Sequence, residues 1–393
     1  MTTMARDLSG RIGEYIATTT MGETVRAYLP HPLPPNPRLD LERLLDLIEK
    51  ANQSLGRLDG MTSILPSADL FVFMYVRKEA LLSSQIEGTQ SSLSDLLLFE
   101  AEEVPFVSLD DVQEVSNYIA AMNHGLARLA SGFPLSLRLI REMHAELLSK
   151  GRGSNKQPGE FRRSQNWIGG TRPGNASFVP PPPDRVMECL GSLETFLHDR
   201  STYPALIRAA LTHVQFETIH PFLDGNGRLG RLLITLLLCE EGALKEPILY
   251  LSLYFKTHRS RYYELLQDVR QTGNWEAWLE FFLEGVIETS GQGVASARRL
   301  MALFEQDRQK ISALGRAASS ALRLHGEMQR SPLLSVPAAA KKLTLSQPTV
   351  QKSLEHLQEL GIVREITGKL RSRLYEYTSY LKILDEGTEP LNE

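Results

Sequence analysis

The sequence is poor in cysteine. Among 393 residues there are two, Cys189 and Cys239, and each stands in an apolar stretch with helical spacing. Two such residues support neither a disulfide framework nor a zinc cluster. A disulfide-stapled secreted domain and a zinc-finger protein are therefore excluded, and we expect a reducing, cytoplasmic environment.

Long apolar runs and an excess of positive charge are also missing. The most apolar stretch, Leu232–Cys239, is interrupted by Thr235 and falls far short of the roughly 20 residues that span a bilayer. The first ten residues, MTTMARDLSG, lack the basic start and apolar stretch of a secretory signal. A net charge of −4 excludes a globally basic nucleic-acid coat but leaves room for a local basic patch. We therefore expect no membrane partner.

What the sequence does contain is helical periodicity. A hydrophobic content of 42% and a charged content of 23% are typical of a globular protein, and 393 residues suggest roughly two or three domains. Strand-like alternation is confined to short stretches, so the fold class is predicted to be mainly α. Pro66 and Ser67 are expected to introduce the second helix and Gly88 to end it. Helices are predicted at about 39–55, 68–86, 109–130, 136–151, 184–199, 204–218, 227–241, 258–272 and 275–289.

One segment inside the helical region cannot be helical. Residues 167–183 contain Gly169-Gly170, Pro173-Gly174 and four consecutive prolines. Phe178-Val179 is their only strand-like portion. The pattern predicts a short β-hairpin or flap.

The last part of the chain has a different character. Two short helices at 337–343 and 346–360, the second with Ser346 as N-cap, precede two short strands at 362–367 and 374–377. This order is typical of a winged helix-turn-helix. We predict an N-terminal helical region (1–108), a central domain (109–290), a helical connector (291–318) and a winged helix-turn-helix domain (319–393).

The winged region is basic in an acidic chain. Between Ser319 and Ile383 there are ten Lys and Arg against five Asp and Glu. Lys369, Arg371 and Arg373 cluster on the wing, and the second helix begins with polar side chains. Such a unit binds duplex DNA in some proteins and serves in protein docking or dimerisation in others. Both partners stay open.

The chemistry is concentrated in His220–Arg231, HPFLDGNGRLGR. Pro221 disfavours the α conformation at His220, so a helix is expected to end there. Gly225 and Gly227 allow a tight loop, and the helix that starts after it directs its free backbone N–H groups at one point. The result is an anion site suited to polyphosphate.

Each element of this segment also has an ordinary explanation. A Gly-Asn-Gly is usually a turn, and Arg228 and Arg231, three apart, usually form a solvated helix face. Their occurrence together with a histidine and an acid within twelve residues favours the chemical interpretation. The segment is not a Walker loop, because G-x-x-x-x-G-K-[ST] is absent.

HPFLDGNGRLGR resembles the signature of the Fic family, HPFx[D/E]GNGRxxR, at every defined position. Segments on both sides are similar to the family as well: Pro158–Arg162, Ile168–Gly170, Tyr254-Phe255, Tyr262-Tyr263 and Gly273–Trp275. The resemblance implies an α-helical Fic core that transfers AMP from ATP to a hydroxyl side chain of a protein.

The resemblance also implies roles for individual residues. His220 would be the general base, with an ordinary histidine pKa near 6.5, and Asp224 would bind Mg²⁺. The ATP phosphates would lie against Gly225, Asn226 (backbone and side chain), Gly227, Arg228, Gly230 and Arg231. Tyr262 and Tyr263 would lie near the nucleotide base, or else pack in the core. The flap Ser177-Phe178-Val179-Pro180 would pair with an extended segment of the target.

A second motif predicts autoinhibition. Residues Ser83–Gly88 match the family's inhibitory pattern [S/T]xxxE[G/N], with Ser83 and Glu87 on one helical face and Gly88 at the helix end. The expected mechanism is a bidentate pair in which Glu87 withdraws Arg231 from the γ-phosphate of ATP.

Three functional hypotheses remain open at this stage. The first is an autoinhibited adenylyltransferase, and the second is a winged-helix DNA-binding regulator whose core senses nucleotide. The third is a Fic enzyme that uses another donor or removes AMP from a modified target. A homodimer is expected by analogy only.

Overall fold

Most of the chain folds into helices. The computed structural model describes residues 8–64, 68–101, 104–105, 107–369 and 373–391. Pro66, Ser67 and Arg371, which carried predictions above, lie outside these ranges. The fold is mainly helical, as the periodicity predicts, with a β-hairpin near the start of the chain and a small sheet near its end.

The hairpin near the start was not predicted. Strands β1 (Glu14–Thr20) and β2 (Glu23–Leu29) pair antiparallel across a turn in which Met21 and Gly22 both have positive φ. A two-residue turn of this kind usually carries Asn-Gly or Asp-Gly, so Met-Gly was a weak signal. The prediction of an N-terminal helical region (1–108) therefore missed this hairpin.

Three helices follow the hairpin. They are α1 (Leu45–Ile64), α2 (Ala68–Ile86) and α3 (Leu93–Glu100). Helix α2 has the predicted bounds, and Gly88 lies just beyond it at φ +102°. Helix α3 opens with a capping box between Ser92 and Asp95, a signal that the sequence analysis overlooked.

The central part of the chain is a helical bundle built around one buried helix. Its helices are α4 (Leu109–Ala130), α5 (Leu137–Leu147), α6 (Pro183–His198), α7 (Ala205–Ile219), α8 (Asn226–Glu240), α9 (Ser252–Thr257), α10 (Arg259–Thr272) and α11 (Trp275–Ser312). Every residue of α7 from Leu206 to Ile219 is buried. Neighbouring helices therefore hold α7 on all sides, which sets the position of the residue that follows it. None of the described helices combines the length and the low charge that a bilayer crossing requires.

Helix α11 crosses a predicted boundary. We predicted that a helix ends near residue 289 and the central domain at residue 290, but α11 continues to Ser312. A Cβ atom on Gly293 would lie 2.8 Å from Cδ1 of Leu58. Gly293 thus allows α1 to approach α11 closely, and this packing outweighs the low helix propensity of glycine.

The last part of the chain combines four helices with a small sheet. Its elements are α12 (Ala318–Arg330), β3 (Leu333–Ser335), α13 (Val336–Leu343), α14 (Gln347–Glu359), β4 (Arg364–Glu365), β5 (Leu374–Glu376) and α15 (Thr378–Asp385). The central strand β5 pairs antiparallel with β3 and β4. Ser346 caps α14 as predicted, because its hydroxyl accepts a hydrogen bond from the Thr349 N–H. Tyr377 connects this part to the bundle by donating to Asp307 of α11 over 2.7 Å.

Candidate active site

His220 stands at the end of α7 in a left-handed conformation, with φ 48° and ψ 61°. This conformation is uncommon for a residue other than glycine and costs on the order of 1–3 kcal/mol. The buried side chain of Arg162 stabilises it, because Nε donates to the His220 carbonyl over 2.8 Å and Nη2 donates to the Ile219 carbonyl over 3.3 Å. The end of α7 and the hydrogen bonds from Arg162 together fix the position of the His220 imidazole.

The loop after His220 is closed by its own polar groups. The Asn226 side chain accepts a hydrogen bond from the Phe222 N–H and donates one to the Phe222 carbonyl, both at 2.9 Å. Both ends of this amide are thus used inside the loop. The Asn226 side chain therefore shapes the loop, and its contact with a phosphate stays a prediction.

His144, which the sequence analysis did not single out, supports the same loop from α5. Its Nδ1 accepts from the Gly159 N–H over 2.8 Å, which assigns the proton to Nε2, and Nε2 lies 3.0 Å from the Asp224 carbonyl. Burial is the main reason that the pKa of His144 is lowered to about 4, so the ring is neutral at pH 7. A neutral ring with this tautomer can both accept and donate, as these two contacts require.

A cavity of about 380 Å³ lies above the start of α8. Gly225 precedes the helix at φ 75°, and the first backbone N–H groups of α8 have no partner within the helix. The positive end of the helix dipole therefore adjoins the cavity, an arrangement that favours an anion. The cavity is lined by Glu87, Glu114, Arg152, Asn166, Trp167, Ile168, Gly169, His220 and Leu223–Arg228.

Asp224 is the carboxylate best placed to share a metal with a bound phosphate. Its Oδ1 accepts from the Gly225 N–H over 2.6 Å and lies 3.5 Å from Nη2 of Arg228, and its side chain is about one-third exposed. The described residues contain no cluster of three or more His, Cys, Asp or Glu that could enclose a metal. Mg²⁺ commonly binds one carboxylate together with substrate phosphates and water, so a single Asp224 fits that ion.

Arg231 is buried and is held from α2. Its Nε donates to the Ser83 hydroxyl over 2.8 Å, and its Nη2 donates to the Ser83 carbonyl over 2.9 Å and to Oε1 of Glu87 over 2.7 Å. The predicted Glu87–Arg231 pair is thus present, but it is not bidentate, because Ser83 takes two of the three hydrogen bonds. Ser83 is therefore a hydrogen-bond partner of Arg231 as well as a residue of the inhibitory motif.

In this pair, each charge stabilises the ionised form of the other side chain. Burial by itself would raise the pKa of Glu87, but the positive charge of Arg231 and its hydrogen bond outweigh burial and leave the pKa lowered. Burial would lower the pKa of Arg231, and the charge of Glu87 raises it instead. Both side chains are therefore ionised at neutral pH.

Gly227 leaves room for the Glu87 carboxylate, and Gln85 anchors the helix end that carries it. A Cβ atom on Gly227 would lie 2.2 Å from Oε1 of Glu87, so the glycine leaves room for the carboxylate. Gln85, two residues earlier, donates to the Thr388 carbonyl over 2.8 Å and accepts from Nζ of Lys256 over 2.7 Å. The end of α2 is thus anchored on both sides.

The pKa of the His220 imidazole is lower than we expected. Burial and the positive charges of Arg162 and Arg270 lower the pKa of His220 to about 3. An ordinary histidine titrates near 6.5, whereas His220 is neutral throughout the physiological range. The neutral form is the one that can accept a proton.

Arg228 has a carboxylate partner that the sequence analysis did not identify. Glu114 of α4 is buried, and its Oε2 lies 3.1 Å from Nη1 of Arg228. Its Oε1 lies 3.1 Å from Nε of Arg152, which also pairs with Asp111 over 2.9 Å. No local motif marks Glu114 or Arg152, because their partners are distant in the sequence.

The flap (Ser177–Pro180) is reduced to a single antiparallel bridge between Ile168 and Phe178. Its outer side contacts the unpredicted hairpin, because the Tyr28 N–H donates to the Val179 carbonyl over 2.8 Å. The two rings of Tyr28 and Phe178 are 5.9 Å apart, and Val25, Ala27 and Val179 form a small apolar cluster. The hairpin and the flap therefore form one layer.

Three further residues of the predicted site lie outside the cavity lining. Gly230 faces α7, where a Cβ atom would lie 2.5 Å from Oε1 of Glu217, so its position serves helix packing. Tyr262 is 1% exposed and its hydroxyl lies 2.8 Å from Nε2 of His213. Tyr263 is 42% exposed, and of the two tyrosines it is the one that presents its ring to solvent. Contact of either ring with a nucleotide base stays a prediction.

Comparison with known proteins agrees with this geometry. Residues 45–127 match the family model described as Fic/DOC family N-terminal, and residues 134–238 match the one described as Fic/DOC family. The second range contains His220–Arg231, and the first contains Ser83–Gly88. Both motifs thus fall inside matched regions.

Two protein adenylyltransferases match this chain over part of their length. The protein adenylyltransferase Fic of Drosophila virilis is 32% identical over 239 residues, which cover 58% of this chain and 44% of that protein. Its counterpart in Aedes aegypti is 30% identical over 256 residues, which cover 62% of this chain and 48% of that protein. The chain thus spans less than half the length of these relatives.

A solved structure resembles nearly the whole chain. The crystal structure of a Fic family protein from Desulfovibrio desulfuricans G20 has a TM-score of 0.57 and covers 89% of this chain and 98% of that one. Sequence identity is 20%, so this likeness shows the fold alone.

Proposed function

Because the chain belongs to the Fic/DOC family, we propose that it transfers AMP from ATP to a Ser, Thr or Tyr hydroxyl of a target protein. We further propose that the inhibitory segment (Ser83–Gly88) keeps this activity low. The observation that carries the proposal is the shared position of His220, the glycine loop (Gly225–Gly227) and Glu87 around one cavity, with Arg231 paired to Glu87 from the buried side.

The reaction follows from the placement of these groups. The neutral imidazole of His220 takes the proton of the target hydroxyl, whose oxygen then bonds to the α-phosphorus of ATP. The bond from that phosphorus to the bridging oxygen breaks, and pyrophosphate leaves with the electron pair. The N–H groups at the start of α8 stabilise the phosphate charge. Asp224 would hold Mg²⁺ together with phosphate oxygens, and the metal would neutralise part of their charge.

The inhibitory step is a competition for Arg231. While Ser83 and Glu87 accept the N–H groups of Nε and Nη2, these groups of Arg231 cannot turn to the outer phosphates. Charge-assisted hydrogen bonds of this kind contribute about 1.5–3 kcal/mol each, so their loss from the bound ATP reduces productive binding strongly. Release of Glu87 is therefore required for activity.

The decisive experiment is intact-mass spectrometry of Glu87→Gly after incubation with ATP and Mg²⁺. We expect a mass gain of one AMP group per modified site, a much smaller gain in the unsubstituted chain and none in Glu87→Gly/His220→Ala. No gain in Glu87→Gly would contradict AMP transfer, and an equal gain in the unsubstituted chain would contradict inhibition.

AMP removal is the alternative use of Glu87. Glu87 lines the cavity together with His220, so a carboxylate and an imidazole are available to a water molecule at the same place. Incubation of the AMP-modified Glu87→Gly product with the unsubstituted chain tests this. Loss of the modification that requires Glu87 would assign removal as the main reaction.

For target docking we propose strand addition at the flap. The Val179 carbonyl is bonded to Tyr28, so a target strand on that side would displace β2. Cross-linking of a bound target peptide to Tyr28 or to Ser177, followed by mass spectrometry, distinguishes the two sides of the flap.

We propose that residues 319–393 form a winged helix-turn-helix that binds duplex DNA. The start of α14 carries exposed Gln347 and Lys352, and Lys369 is exposed between β4 and β5. Affinity for a DNA duplex should fall steeply with added salt. No binding at low salt would instead favour a protein partner or a homodimer, and the mass of the particle in solution would identify the homodimer.

A further inference from the structure

Arg152 is the most accessible cation in the cavity. Two arginines line the cavity, Arg228 with a side chain that is 4% exposed and Arg152 with one that is 55% exposed. Arg231 is buried and paired with Glu87. A polyphosphate that enters therefore meets the guanidinium of Arg152 before that of any other arginine described here.

The loop that carries Arg152 is built for a close approach to Asp224. Gly151 and Gly153 on either side have φ of 74° and 83°, a conformation that other residues rarely adopt. A Cβ atom on Gly153 would lie 2.7 Å from Oδ2 of Asp224. The loop that carries Arg152 thus packs, at Gly153, against the carboxylate proposed to bind the metal.

Glu114 determines where the two guanidinium groups lie. It is buried between them, 3.1 Å from Arg228 on one side and 3.1 Å from Arg152 on the other. If Arg152 moves away, Glu114 keeps Arg228 as its partner, and Asp111 keeps the hydrogen bond that it accepts from the Gln90 N–H over 3.0 Å. Arg152 can therefore exchange its carboxylate partners for another anion.

The lining of the cavity holds more acids than arginines. Its carboxylates are Glu87, Glu114 and Asp224, against Arg152 and Arg228. Of the two arginines, the exposed Arg152 is the one that can turn towards a triphosphate and offset part of the negative charge around it.

We propose that Arg152 binds the phosphates of the nucleotide, with Glu114 as the positioning residue that presents it. This inference rests on the proposed use of ATP, but it does not require AMP transfer. It adds a binding residue outside both sequence motifs. The planar guanidinium suits phosphate oxygens, which it can contact through two N–H groups.

The test measures binding without turnover. Arg152→Ala and Arg152→Lys are placed in the full chain that carries Glu87→Gly and His220→Ala, and the affinities for ATP and for adenosine are measured in Mg²⁺ buffer. Arg138, an exposed arginine of α5 that pairs with Glu142, supplies the control Arg138→Ala. Thermal unfolding verifies that each variant is folded.

We expect Arg152→Ala to weaken ATP binding about tenfold and to leave adenosine binding unchanged, because adenosine has no phosphate. Arg152→Lys should lose less, and Arg138→Ala nothing. Unchanged ATP affinity in Arg152→Ala would overturn the proposal, as would an equal loss for ATP and adenosine, which indicates a structural role. Arg152-dependent ATP binding together with no AMP transfer by Glu87→Gly would reject the transfer reaction and support this inference.

Discussion

The Ser83 hydroxyl accepts a hydrogen bond of 2.8 Å from Nε of Arg231, and the Ser83 carbonyl accepts a second one of 2.9 Å from Nη2. Glu87 contributes the negative charge in this contact, and Ser83 fixes the plane of the Arg231 guanidinium. The inhibitory segment therefore acts through two residues, and each should have its own effect when changed.

Replacement Ser83→Ala should raise AMP transfer about tenfold above the unsubstituted chain, and less than Glu87→Gly does. The variant loses one charge-assisted hydrogen bond to Arg231 but keeps Glu87 and the Ser83 carbonyl. Initial rates with radiolabelled ATP measure the effect. The matched control is Ser84→Ala, because Ser84 is equally buried on α2 and its hydroxyl has no hydrogen-bond partner among the described residues. Equal rates for the two alanine variants would contradict a role for the Ser83 hydroxyl.

The pH dependence of Glu87→Gly should be flat where an ordinary histidine titrates. A general base works in its deprotonated form, so activity is present above the pKa of His220 and is lost below it. Because that pKa is lowered to about 3, kcat/KM should stay constant between about pH 8 and pH 5.5. Removal of Glu87 lowers the pKa further, since its negative charge favours the imidazolium. A fall to half activity near pH 6.5 would show that the free protein has an ordinary histidine.

Replacement Glu114→Ala should destabilise the fold by about 3 kcal/mol, because it leaves the buried guanidinium of Arg228 without its main partner. Chemical denaturation monitored by circular dichroism measures the change. Glu114→Ala/Arg228→Met removes both charges and should recover most of the loss. If the double variant is as unstable as the single one, the destabilisation comes from packing and not from the unpaired charge.

Replacement Tyr28→Ala should loosen the flap. It removes the ring that packs near Phe178 and the hydroxyl that accepts from the Gly13 N–H over 2.8 Å. We expect faster hydrogen exchange of the amides at 177–180 in the variant, measured by mass spectrometry. Met21→Ala is the control, since Met21 lies in the turn of the same hairpin and is 78% exposed. Unchanged exchange in Tyr28→Ala would show that the flap is held without the hairpin.

Much of the helical fold was visible in the sequence because helix formation is local. The predicted bounds of α2 and α4 agree with the structure, and Ser346 caps α14 as expected. The errors arose where distant contacts outweigh local preference. Helix α11 continues past its predicted end near residue 289, where α1 packs against it at Gly293, and the β1–β2 hairpin is held by its contact with the flap as well as by its own turn.

The sequence alone determined the chemical residues of the site. The motif depends on residues that are close in the chain: a histidine before proline, a loop with two glycines, and two arginines at a helix start. The structure places His220, Asp224 and Arg228 around one cavity. Only the tertiary structure decided which residues these side chains contact. Ser83 accepts two hydrogen bonds from Arg231, and Glu114 pairs with Arg228, from which it is 114 positions distant in the sequence. Arg162 and Arg270 lower the pKa of His220. Arg152 lines the same cavity. Burial and charge act through space, and helix packing brings together residues whose separation along the chain carries no signal.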